Sequence, residues 1–224
     1  MRSSSDRAAF IRANTRLRPV PLTPEIVLHL ADEAVPLWQK TEEELAAIGL
    51  PPPFWAFAWA GGQALARYVL DNANAVAGKR VLDLGAGSGL VAIATAMAGA
   101  APVVAADIEA FSEGAIALNA AANGVHVETL IADLLDAPLA QALRYDVILV
   151  GDLFYEQTTA HRVLAFLSAQ LAAGARVLIG DPGRSYLPKH RLHELAAYSV
   201  PVTRELEDNE IKRTAVFALG AHEC

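Results

Sequence analysis

Cysteine is nearly missing from this chain. Cys224 is the only one among 224 residues. No intrachain disulfide can form, and no Cys/His spacing suits zinc, so disulfide scaffolds and structural metal modules are excluded and no metal is expected. Concentrated positive charge is also lacking. Lys and Arg number 18 against 25 Asp and Glu, for a net charge of -7 and a pI near 5.3. A duplex nucleic-acid binder needs a basic face, so that class is set aside. No apolar run reaches the length of a membrane span, and no membrane partner is expected. Residues 1–7 are polar with no apolar segment behind them, so no secretory signal is expected. Arg2, Arg7, Arg12, Arg16 and Arg18 could suggest a transit peptide, but Asp6 interrupts them and Phe10-Ile11 opens a folded helix. A reducing, cytoplasmic setting and a monomer are the expectations. Repeats and low-complexity segments are absent.

What remains is a globular composition, 54% hydrophobic and 19% charged, long enough for one α/β domain with a sizeable core. Its most informative stretch is Val81-Leu82-Asp83-Leu84-Gly85-Ala86-Gly87-Ser88-Gly89. An apolar run ends in a carboxylate, passes through the alternating glycines Gly85, Gly87 and Gly89, and leads into an alanine-rich run of helix formers. Strand, tight turn and helix follow in order. Glycine lets such a turn adopt positive φ and lets a ligand approach without meeting a Cβ. A dinucleotide fingerprint would read G-x-G-x-x-G, with pyrophosphate on the helix N-terminus. Here the third glycine comes one residue early, and Asp83 disfavours a pyrophosphate. A cationic donor such as S-adenosylmethionine reverses that preference.

Downstream residues fall in the matching order. Val103 to Ala106 is a second apolar run ending at Asp107, about 20 residues past the turn, where a ribose-binding carboxylate is expected. The alternative for Asp107 is a helix N-cap. Ile131-Ala132-Asp133-Leu134 closes the next strand, with Asp133 and Leu134 assigned to the adenine end. The Asp133 carboxylate serves either an adenine amino group or only a strand-end turn. The run from Val147 ends in Gly151-Asp152.

Strands are expected over 80–84, 103–106, 128–131, 147–150 and 176–179, and helices over 62–71, 90–98, 111–123, 158–172 and 187–198. This alternation indicates a doubly wound parallel sheet. Residues 200–205 and 213–219 are too close in sequence for a parallel crossover and form an antiparallel hairpin. The fold expectation is therefore α/β, Rossmann-like, with a seven-stranded, mostly parallel sheet. Residues 62–224 form the domain, and residues 1–61 a helical extension and aromatic loop. That extension comprises helices over 10–15 and 36–48, a proline-stiffened connector over 18–24, and a short strand or helix approach over 25–31.

Two further segments bear on chemistry. Trp55-Ala56-Phe57-Ala58-Trp59-Ala60-Gly61-Gly62 lacks the periodicity of a packing element. Trp59 and Gly61 are assigned to the cofactor and Trp55 to the substrate entrance, with plain packing as the alternative. Asp152-Leu153-Phe154-Tyr155-Glu156 follows the fourth strand, where ligands bind outside strand carboxyl ends. Phe154 is assigned to substrate.

The D-x-G-x-G-x-G stretch resembles motif I of the seven-stranded S-adenosylmethionine methyltransferases. D-x-x-Y-E, with the upstream W-x-x-x-W-x-G-G, resembles the family-16 lysine methyltransferases, in particular the branch acting on the β subunit of electron transfer flavoprotein. Ile11-Arg12-Ala13-Asn14-Thr15 and Gly180-Asp181-Pro182-Gly183-Arg184 extend the likeness over nearly the whole chain. One departure is Ala60, where many relatives carry proline. The resemblance implies methyl transfer from S-adenosylmethionine, leaving S-adenosylhomocysteine, to a protein lysine. Asp152 and Glu156 would capture the amine (Asp152 also bordering the cofactor), Tyr155 would orient its lone pair, and Asp181 and Arg184 would contact the protein substrate; the alternatives are Glu156 as a solvated N-terminal residue of the next helix and Asp181 with Arg184 as a local turn pair. The competing readings are a small amine or pyridine acceptor on the same fold, an NAD-dependent oxidoreductase, and a non-catalytic module retaining the fold.

Overall fold

The computed structural model describes residues 4–31, 52–135, 144–202 and 211–220. Its central feature is a seven-stranded sheet built from β3 (Val81–Leu84), β4 (Val103–Asp107), β5 (Glu128–Ile131), β6 (Val147–Gly151), β7 (Arg176–Asp181), β8 (Leu192–Pro201) and β9 (Ile211–Leu219), in the spatial order β5-β4-β3-β6-β7-β9-β8. The first five are parallel, while β9 runs antiparallel to both β7 and β8. Central strands of such a sheet are covered on both faces, so they read as continuous apolar runs. β3 accordingly has all four residues buried.

Strand alternation sorts the side chains into two layers. Val81, Val103, Val147, Leu149 and Leu178 pack under helices α2 (Ala60–Asp71), α3 (Leu90–Met97) and α4 (Ala110–Ala122). Leu82, Leu84, Ile148, Val150, Val177 and Ile179 pack with α5 (Gln157–Ala172) through Val163, Phe166 and Leu167. Among the described residues no helix is long and apolar enough to cross a membrane.

The N-terminal region holds more strand than the sequence suggests. α1 (Ser4–Asn14) is followed by a hairpin of β1 (Arg16–Val20) and β2 (Thr23–Leu30), where a connector was expected over 18–24. Pro19 is tolerated because β1 is an edge strand. Val20, Ile26 and Leu28 are buried against Ala66, Leu90, Ile93, Ala94 and Ala120. An asparagine of α4 and the one that caps its C-terminus bind the edge of β2. Asn119 Oδ1 accepts from His29 N–H at 2.7 Å, and Asn123 Oδ1 accepts from Val27 N–H at 2.9 Å. The helix expected over 36–48 lies outside the described residues.

The helix expected over 187–198 is corrected to strand. A short turn, Lys189–Arg191, leads directly into β8. Leu192 and Leu195 have helical spacing, but β8 pairs with β9 along its length, from Leu192↔Leu219 to Pro201↔Ile211. Cross-strand pairing of this extent overrides local preference. The hairpin was thus assigned too far toward the C-terminus, and residues 203–210 lie outside the described residues.

α2 meets the sheet glycine to glycine. A Cβ on Gly180 would overlap the Gly61 carbonyl oxygen and come within 2.8 Å of Leu65 Cβ, and one on Gly151 would come within 3.1 Å of the Gly62 backbone. No side chain fits between helix and strands at these points. Gly180→Ala should lower the unfolding free energy by about 3 kcal/mol, read as a lower urea midpoint at unchanged slope.

Candidate active site

The carboxyl ends of the parallel strands form the functional edge. β3 has β4 on one side and β6 on the other, so the strand order reverses there. Open α/β sheets bind ligands at that crevice. Each parallel strand delivers an aspartate to this edge, at or near its carboxyl end: Asp83, Asp107, Asp133, Asp152 and Asp181.

The turn after β3 is as the sequence implies, with φ of 71°, 50° and 81° at Gly85, Gly87 and Gly89. The reasons differ among the three. A Cβ on Gly85 would lie 2.7 Å from the Leu153 side chain, and one on Gly89 3.1 Å from Ile116. Those two glycines admit neighbours of the protein itself. Around Gly87 the nearest atoms would be 3.7 Å away or more, so this position leaves room for a ligand. Asp107 closes the loop: its Oδ2 accepts from Gly87 N–H at 2.8 Å and its Oδ1 from Glu109 N–H at 2.9 Å. Each oxygen retains a lone pair, and the side chain is half-buried. Asn119 supports the same loop by donating to the Ser88 carbonyl at 2.8 Å.

Asp83 lies beneath this turn, buried, with Oδ2 accepting from Ala92 N–H at 2.9 Å in the first turn of α3. Burial raises its pKa to about 7, moderated by the Ala92 hydrogen bond and reinforced by Asp107. A carboxylate so desolvated gains from a nearby cation.

Asp152 ties the acceptor side together. It is the one non-glycine residue with positive φ among those described, at 56°. Its Oδ2 accepts from Gly61 N–H at 2.5 Å and Gly62 N–H at 3.2 Å, at the N-terminus of α2. Its Oδ1 accepts from Arg184 Nε at 3.1 Å and Nη2 at 2.8 Å. These four donors fill the carboxylate. Gly61 therefore serves a helix–carboxylate–strand junction. Burial raises the Asp152 pKa, while Arg184 holds it down. Asp181 also faces inward. Its Oδ1 accepts from the Gly183 and Arg184 N–H groups at 2.6 and 2.7 Å, and burial raises its pKa to about 6. The Asp181 side chain is thus directed into its own loop.

Several residues assigned from sequence occupy other places. Trp55 is 2% exposed and stacks on Phe111 at 5.7 Å, within a cluster that includes Ile11 and Ala115. It is packing rather than an entrance. Phe154 is fully buried in the α5 layer, and Leu134 shares that layer. Chain direction reverses the assignment of Phe154: Phe154 points inward while Tyr155 is half exposed. Glu156 caps α5, accepting from Thr158 N–H at 2.8 Å and Thr159 N–H at 2.7 Å. Those bonds pull its pKa down to about 2, so it is a poor proton acceptor. Asp133 is held by Arg162 at 2.9 Å. Trp59 is half-buried and donates Nε1–H to the Phe54 carbonyl at 3.0 Å. Phe54 escaped the sequence reading. It is 46% exposed, its ring 5.9 Å from Trp59 and 6.1 Å from Tyr155. The signal was its place one residue before a buried tryptophan in a proline-led turn.

The residues present fit a cationic methyl donor with a ribose. Room at Gly87, half-buried Asp107 with lone pairs left, and desolvated Asp83 suit it better than a diphosphate. Residues 42–195 match the family described as lysine methyltransferase. The chain is 38% identical over 216 residues to the electron transfer flavoprotein β-subunit lysine methyltransferase of Mus musculus, covering 93% of this chain and 82% of that one. Identity to the Homo sapiens protein of that name is 36% over 219 residues, with 93% and 80% covered. A solved Thermoplasma acidophilum protein superposes with a TM-score of 0.54 at 17% identity, covering 72% of this chain and 91% of that one. Magnesium protoporphyrin IX methyltransferase from Synechocystis PCC 6803, solved with bound S-adenosylmethionine, gives 0.50 at 21%, covering 71% and 80%. These two share the fold. The chain belongs to the lysine methyltransferase family and is an S-adenosylmethionine-dependent protein-lysine methyltransferase.

Arg184→Met removes the counter-charge of a buried carboxylate and should cost about 3–5 kcal/mol of stability. Asp152 is then driven further toward its neutral form, so the loss should be smaller at pH 5 than at pH 8, as denaturation at both would show. The Glu156 pKa is shifted the other way from that of Asp152, yet the stability it confers also fades in acid. Its pKa is lowered on folding, so its contribution is full above the ordinary value near 4.5 and disappears as pH falls toward 2. Glu156→Ala should lower the melting temperature at pH 7 but converge with the wild type in strong acid, and turnover well below melting should persist.

Proposed function

We propose that this enzyme methylates lysine side chains of the β subunit of electron transfer flavoprotein. Support comes from relatives bearing that activity in their names, aligned over more than nine-tenths of the chain. Within the proposal, residues 62–224 form the methyltransferase domain and residues 1–61 its extension, and the enzyme acts as a monomer in the cytoplasm.

The bound cofactor supplies an electrophilic methyl on a sulfonium, already a good leaving group. Asp107 and the glycine turn would hold the ribose, and Trp59 and Gly61 would hold the methionine end. The protein's further task is to present a neutral amine in line and keep water away. A lysine amine has a pKa near 10.4, so roughly 1 in 2,500 is neutral at pH 7. No carboxylate with the properties of Glu156 or Asp152 is a ready base: one is held near pKa 2, the other already accepts four donors. Aromatic desolvation and electrostatic repulsion by the sulfonium favour the neutral amine instead. The proton leaves to water at the open face before transfer. Tyr155 orients the nitrogen. Asp152 acts by fixing Arg184 and the start of α2, which border the protein substrate.

Incubation of recombinant electron transfer flavoprotein β subunit with methyl-labelled cofactor, followed by peptide mass spectrometry, tests the proposal. Label on defined lysines is expected. Label found only in the small-molecule fraction, or on a different protein of a lysate, overturns the substrate assignment.

A further inference from the structure

A lysine amine arrives from water as a cation, yet the two carboxylates of the D-x-x-Y-E segment are occupied by internal donors. Glu156 holds two N–H groups of α5, and Asp152 holds α2 and Arg184. An aromatic face is another kind of group that draws an ammonium. Phe54 is placed to provide it. It opens a single helical turn, Phe54–Ala56, in which Trp55 and Ala56 are both buried. Trp55 stacks on Phe111, and the Ala56 carbonyl accepts from Ala31 N–H at 3.0 Å. The anchored neighbours hold Phe54 outward. Its carbonyl accepts the Trp59 indole N–H, and that same oxygen would lie 3.7 Å from a Cβ on Gly87. Phe54 therefore sits over the glycine turn while its ring approaches Tyr155, which comes from the β6–α5 loop. Phe57, Trp59, Phe54 and Tyr155 form a continuous series of rings with centroid spacings of 5.3, 5.9 and 6.1 Å.

We propose that Phe54 is a specificity-determining residue that, with Tyr155, forms the aromatic wall along which the acceptor lysine reaches the methyl group. A four-carbon stem gains from apolar faces, and an ammonium is drawn to the electron-rich face of a ring. Tyr155 also lines a cavity of about 310 Å³ with Pro182, Gly183, Arg184, Ser185 and Lys212, so the ring series ends at an open pocket. The rings beside Phe54 are uncharged.

This inference rests on the lysine-transfer reading, and two measurements separate their failures. In steady-state assays on the flavoprotein β subunit at saturating cofactor, Phe54→Ala and Phe54→Leu should raise KM for the protein about tenfold. Phe54→Tyr should behave as wild type, and S-adenosylhomocysteine affinity should not move. In NMR titrations of N-acetyl-lysine amide into S-adenosylhomocysteine-loaded enzyme, the ε-methylene protons should shift upfield with wild type and Phe54→Tyr, and lose that shift with Phe54→Ala and Phe54→Leu. An unchanged KM in Phe54→Ala, full function in Phe54→Leu, a parallel loss of S-adenosylhomocysteine affinity, or no upfield shift in wild type would overturn the role of Phe54. If wild type leaves the flavoprotein subunit unmethylated, the substrate assignment fails alone, and the lysine-amide shift decides Phe54.

Discussion

A buried carboxylate shared between a helix end and a guanidinium holds this site in shape. Asp152 joins the first turn of α2, the end of β6 and the Arg184 loop after β7. Its left-handed backbone costs roughly 1–2 kcal/mol, and is retained because that conformation aims the side chain at both partners. The helix N-terminus and Arg184 compensate a charge that burial alone would neutralise. Removing this junction would release the turn bearing Trp59, and with it the approach of Phe54 to Tyr155.

The aspartates along the sheet edge share a chemistry but not a task. Asp107 braces the glycine turn and keeps lone pairs for a ligand. Asp133 is paired to Arg162 on α5. Asp181 folds back on its own loop. Asp83 and Asp181 are costly: with pKa values raised to about 7 and about 6, they oppose folding increasingly as pH rises from the ordinary carboxylate range toward neutrality. A cationic ligand at the crevice offsets that cost, which joins stability to cofactor binding.

Much of the architecture was legible in residue order. The strand–glycine–helix unit, Asp107 beyond it, and the alternation of runs from Val81 to Ile179 are local patterns whose periodicity survives folding. The C-terminal hairpin was legible as a hairpin but misplaced, because Leu192 and Leu195 carry a helical rhythm that only β9 overrules. Within the site, residue type was a weaker guide than direction. Neighbours in an extended or single-turn segment face opposite ways, so Trp55 and Phe154 went to the core while Phe54 and Tyr155 faced outward. Glu156 was read as chemistry because acids near aromatics attract that reading. Two N–H groups at the start of α5 claimed it instead.

By itself the sequence determined the glycine turn and the acid that ends its strand, because these work through backbone conformation and nearby charge, both local. It also determined the fold, since buried parallel strands and amphipathic helices leave few ways to layer. Tertiary structure alone decided which acids were already satisfied and which aromatic faces remained open. Those outcomes depend on donors and rings supplied from distant elements, such as Gly61 and Arg184 meeting on Asp152, and no spacing along the chain encodes the angle at which they arrive.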